Sequence, residues 1–172
     1  MILGMSVATF TLVHVIISLI AIAAGFVVMG GLVSSKRLPG TTAVFLFFTI
    51  LTSVTGFFFP ITKIGPPHIF GVVSLVLLVF TVYGLYGRHL MGAWRPVYIV
   101  TALIAQYLNV VVLIVQSYQK VPALHVYAPN GNEPPFAITQ GLALVLFVVV
   151  GWLALKKFHP PVRLSIATAG AL

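Results

Sequence analysis

The sequence predicts an all-α membrane protein: one domain over residues 1–172, with five transmembrane helices, the N-terminus outside and the C-terminus cytoplasmic. Three observations lead there. The chain is 60% apolar and only 6% charged, far from the balance of a soluble domain. Five apolar runs each approach the roughly 20 residues a helix needs to cross hydrocarbon. The basic residues sit unevenly on the two sides of those runs.

The runs are Phe10–Val33, Thr42–Pro60, His68–Gly87, Val97–Tyr118 and Phe136–Lys156. The first has no basic segment before it and continues past any plausible cleavage point, so it reads as a retained helix. Lys36 and Arg37 follow it, in "SSKRLPGT". The second ends in "GFFFP", and Pro66-Pro67 open the third. Arg88 and Arg95 separate the third from the fourth, and Lys156, Lys157 and Arg163 follow the fifth. Only Lys63 and Lys120 fall on the other side. Short basic loops stay in the cytoplasm, which sets the orientation. Trp94, Trp152, Tyr83, Tyr86 and Tyr98 cluster at that same end, as an interfacial aromatic belt does.

The net charge of +8 is thereby assigned to topology, and no nucleic-acid partner is expected. The absence of cysteine excludes disulfides, thiolate metal sites and iron–sulfur clusters.

The basic residues also serve as a depth gauge. A helix rises about 1.5 Å per residue through a core about 30 Å thick. Counting back from Lys36 reaches His14, and from Arg88 reaches His68. Counting forward from Arg95 arrives near Gln116, and back from Lys156 passes Gln140. Four polar side chains on four helices therefore share one outer level. Their facing follows from the 100° step. His14, Ser18, Ala21 and Gly25 share a small-residue face on the first helix, and small faces pack inward. Thr42, Thr49, Thr52, Ser53 and Gly56 do the same on the second. Gln106, Asn109, Gln116 and Lys120 lie within about 80° on the fourth. Gln140, Ala143, Phe147, Gly151 and Ala154 share a face on the fifth. Amides facing lipid are costly, so the stripes are expected to converge. The outer connection, Gln119–Pro135, carries the only acid, Glu133, and is rich in proline, which predicts an ordered cap with a turn at "APNG".

Several chemistries compete for these residues. His14 and His68 at matching depth suit axial ligation of haem b. The competing reading makes both interfacial, with His68 helping to start its helix. His14, His68 and His125 form a candidate metal triad, open to zinc or copper. Gln116 and Gln140 with the histidines suit a quinone headgroup; the competing reading makes the amides helix–helix glue, which Gln106 and Asn109 are taken to be. His89 and His159 read as membrane-surface residues. No carboxylate lies within a helix, which weighs against coupled transport and against hydrolytic catalysis.

His14, "SSKRLPG", the span from "GFFFP" to "PPHIFG", "LNVVVLIVQSYQKVPALH" and "NEPPFAITQ" resemble blocks of small bacterial multi-pass inner-membrane proteins of unknown function. That resemblance implies a bacterial inner-membrane location and no particular activity. A looser likeness joins the chain to four-helix membrane b-type cytochromes, although it lacks their inner histidine pair, so two haems are not expected. Two functions follow. One is a protein with a cofactor-binding site at the outer face, His14, His68, Gln116 and Gln140, holding haem or quinone in electron transfer. The other is a cofactor-free structural or accessory subunit, in contact with the lipid bilayer and with other membrane subunits or copies of itself.

Overall fold

The computed structural model describes residues 1–60 and 65–160, the side chains of Pro66 and Pro67 aside. Lys63 and Arg163, two of the charges used above, lie outside the described residues. Among the described residues six α-helices form: α1 Val7–Val33, α2 Pro39–Gly56, α3 Pro66–Val82, α4 Trp94–Lys120, α5 Pro122–His125 and α6 Pro134–Lys157. A π-helical turn, Tyr83–Gly87, extends α3. Five helices are long and apolar enough to cross a membrane, the short α5 being the exception.

The boundaries differ from expectation for local reasons. α1 starts at Val7 because Ser6 caps it: the Thr9 amide donates to the Ser6 hydroxyl at 3.0 Å. α2 starts early because Pro39 suits the first helical position. It also ends early, at Gly56 rather than Pro60. The chain turns at Phe57, which lets Phe59 pack on Phe10 with ring centroids 5.0 Å apart. Pro134 and Pro135 open α6 in the same way as Pro39 opens α2.

The long helices form a ring in the order α1, α2, α3, α4, α6 and back to α1. α4 touches all four of the others. Its inner face, Ile99, Ala102, Ala105 and Gln106, is buried at the centre. Phe45 and Thr49 of α2, Leu78 and Thr81 of α3, Ala21 of α1 and Ala154 of α6 surround it, all buried. The small faces predicted for α1, α2 and α6 do turn inward. Between α3 and α4, Thr81 donates to Thr101 at 2.8 Å. The burial is uneven along the axis. No residue from Val111 to Lys120 is buried, so the bundle is open at the C-terminal end of α4.

Candidate functional site

His14 enters the site from the third turn of α1. Its ring is half-buried and meets Phe59 edge-on, with centroids 5.2 Å apart. Nδ1 lies 2.8 Å from the Thr55 hydroxyl on α2. Thr55 Oγ1 also lies 2.7 Å from the Leu51 carbonyl. A carbonyl oxygen can only accept, and the Leu51 carbonyl is the nearer of the two carbonyls to the Thr55 hydroxyl. With the hydroxyl proton on Leu51, the proton between Thr55 and the ring comes from Nδ1–H. That arrangement puts His14 in the tautomer whose Nε2 carries the lone pair. Among the described residues nothing hydrogen-bonds to that nitrogen. A ring oriented through one nitrogen with the other left as an acceptor is the usual setting of a ligating histidine. Thr55 was missed from the sequence, although it follows Thr52 by three residues on the same helix.

His68 serves a different purpose. It is the third residue of α3, and the Gly65 amide donates to its Nδ1 across a long 3.4 Å. The ring thus helps satisfy the backbone at a helix start that two prolines open. It lies 6.2 Å from the Phe57 ring, tilted by 49°. Both histidines therefore sit beside the Phe57–Phe59 end of α2, at the same end of the bundle. Their helices, α1 and α3, make no contact with each other, and α2 packs against both.

Among the described residues no hydrogen bond joins the glutamines to either histidine. Gln116 is exposed. It lies about 80° around α4 from buried Gln106, at the rim of the stripe, in the turns where α4 has no buried residue. Gln140 is half-buried, and its Nε2 reaches the Val111 carbonyl at 3.4 Å, a contact between α6 and α4. Its Oε1 is buried without a partner, as are Gln106 Oε1, Thr52 Oγ1 and Ser74 Oγ. Deeper in the bundle Gln106 Nε2 donates to the Ile22 carbonyl of α1 at 2.9 Å, and Asn109 Nδ2 to Thr49 of α2 at 3.5 Å. These two are inter-helix joints, as expected.

His125 does not join His14 and His68. Its Nδ1 faces the Tyr118 carbonyl, 3.2 Å away, and α5 packs on α4 alone among the helices. Among the described residues no three groups of metal-ligating type come together. The connection that carries His125 folds on itself. Gly131 donates to the Ala128 carbonyl at 3.3 Å and takes φ +75°, which closes the "APNG" turn. Glu133 gathers the Asn130 amide and side chain at 2.9 Å each and the Asn132 amide at 3.0 Å. Desolvation pushes this carboxyl up, but the bonds from Asn130, Glu133 and Asn132 outweigh it and hold it below the usual carboxylate range. The only acid of the chain is thus a turn-builder.

The His14 end of the bundle is therefore one oriented histidine on α1 and α2, and a set of polar groups each used by its own neighbours. No protein-family model, curated protein or solved structure matches the chain.

Proposed function

We propose that the protein is a structural or accessory subunit of a bacterial inner-membrane assembly, with the N-terminus outside and the C-terminus in the cytoplasm. The observation that supports this reading is the use of the interior polar groups. Gln106, Asn109, Thr81, Gln140 and His14 each bond to a neighbouring helix, and they link α1, α2, α3, α4 and α6 into the ring. Such bonds are worth about 0.6 kcal/mol each, up to about 1.7. They make a rigid membrane body from helices whose outer faces are apolar. The orientation rests on the basic loops, and the bacterial setting on the resemblance of the sequence blocks.

The test is the protein purified in mild detergent. A colourless sample, without a Soret band on reduction and without quinone in its lipid extract, in a complex larger than its own mass is expected. A Soret band lost in His14→Ala would sink the accessory reading. A C-terminal reporter active only outside the cytoplasm would reverse the orientation.

A second reading is favoured by one specific observation, the acceptor nitrogen of His14. In that reading Nε2 accepts a hydrogen bond from a quinol hydroxyl, or ligates haem iron, beside Phe59. The chain lacks a second pair of histidines within the helices, and a quinone needs only the one acceptor nitrogen, so a quinone is the simpler ligand. Bound quinone that is present in the wild type and absent from His14→Ala, with the fold intact, is the result this reading requires.

A further inference from the structure

The opposite end of the bundle holds a cavity of about 180 Å³, room for roughly six waters at about 30 Å³ each. Its rim carries Lys36, Arg37 and His89, and Tyr98 and Phe158 close its floor. The walls come from three connections that the sequence places far apart. Ser35, between α1 and α2, takes φ +55°, and His89 and Leu90, after the π turn, take φ +51° and +62°. Left-handed backbone at non-glycine residues is costly and gathers at sites that need a particular shape. A π turn inside a helix likewise marks functional positions, and this one supplies Leu85 and Tyr86 to the wall.

The third wall is clamped. Arg95 donates to the Phe158 carbonyl at 2.7 Å and to His159 Nε2 at 2.8 Å. The His159 amide donates to Ser35 Oγ at 2.9 Å. The end of α6 is thus tied to α4 and to the α1–α2 connection, which holds Phe158 in place.

Charge identifies the class of occupant. Glu133, the only acidic side chain of the chain, precedes α6, whereas the cavity lies beyond the end of that helix. No side chain of the protein can neutralise Lys36 and Arg37, so a counter-anion must come from outside. The shape narrows the class further. Tyr86 also lines an apolar groove of about 540 Å³ between α2 and α3, formed by Ile50, Leu75, Leu78, Val79 and Val82. A basic cavity and an apolar groove that share one tyrosine match a molecule with an anionic head and a hydrocarbon tail. We infer that this end binds one anionic phospholipid, its phosphate between Lys36, Arg37 and His89 and an acyl chain along α2 and α3. Basic pockets between membrane helices take such headgroups.

Native mass spectrometry of the full chain, exchanged into phosphatidylglycerol or phosphatidylcholine of identical chains, tests this. Retention of phosphatidylglycerol over phosphatidylcholine is expected. Lys36→Ala with Arg37→Ala should lower retention roughly 10- to 30-fold, at about 1 kcal/mol per cation. Lys156→Ala with Lys157→Ala removes equal charge from the same end, outside the cavity, and should change it little. Val79→Trp, which fills the groove from an exposed position, should lower retention without touching a charge. His89→Gln gives an independent reading should the Lys36/Arg37 pair fail to fold. Equal loss from both double variants would reduce the effect to surface charge and overturn the proposal. Equal retention of the two lipids would overturn it too. So would release by millimolar inorganic phosphate with Val79→Trp unaffected, which would identify a free-anion site.

Discussion

His14 and Thr55 show how one hydrogen-bond chain decides a tautomer. Replacing Thr55 with Val removes the acceptor of Nδ1–H, and ¹⁵N NMR of the imidazole should then show the two ring nitrogens exchanging protons. In the wild type the Nδ1–H form should dominate; a dominant Nε2–H form would contradict the geometry. Gly25 and Gln106 make a second residue-scale case. A Cβ on Gly25 would overlap the Gln106 carboxamide, so Gly25→Ala should destabilise by about 1–3 kcal/mol. Adding Gln106→Ala should return part of that loss, because it removes the obstructing group; thermal unfolding of the two variants and their combination measures the coupling. Glu133 gives the pH dependence. Its folded value lies below the ordinary one, so its contribution is complete above about pH 4.3 and is lost as pH falls through the depressed value. Hydrogen exchange at the Asn130 and Asn132 amides should quicken on acidification, and in Glu133→Gln at neutral pH.

At the scale of the element, helix ends carry most of the design. Ser6, Pro39 and Pro134 start helices by the ordinary chemistry of caps and first-turn prolines, and all three can be read directly from sequence. The π turn cannot. "YGLYG" contains two glycines, and the reason appears only in three dimensions. A Cβ on Gly84 would lie 3.3 Å from the Trp94 carbonyl, and one on Gly87 2.8 Å from the Tyr83 ring. Gly84→Val should therefore push α3 from α4 and lower the unfolding temperature, at a cost of about 1–3 kcal/mol. The clamp from Arg95 is an element-scale joint as well. Arg95→Ala should loosen the last turn of α6, seen as faster exchange of the Phe158 amide while the centre of α6 is unchanged.

Across the whole molecule, α4 is the organising helix. Among the described residues it is the only one that touches every other spanning helix, and it carries the buried amide of Gln106. α6 is at the other extreme, with only Phe147 and Ala154 buried along its length. The two ends of the bundle consequently differ. The basic end is closed by clamped connections around a cavity. The other end is open along α4, and its polar groups are distributed over separate contacts.

Helix count, apolar character and inward-turning faces were settled by local quantities: run length, small-residue periodicity and helix-start chemistry. His14, Gln106 and Asn109 were legible for that reason, because depth and facing follow from helical rise and rotation alone. The ring order was not, since five similar apolar helices can close in several orders and only side-chain fit selects one. That order put α2 next to both α1 and α3, the helices of His14 and His68. It also left Gln116 outside a bundle that opens beyond Val110, and gathered Lys36, Arg37 and His89 around one cavity. Position along a helix is a property of one helix, and a site is a property of several, which is why the sequence could bring His14 and His68 to one end of the bundle but only packing determined which residues meet.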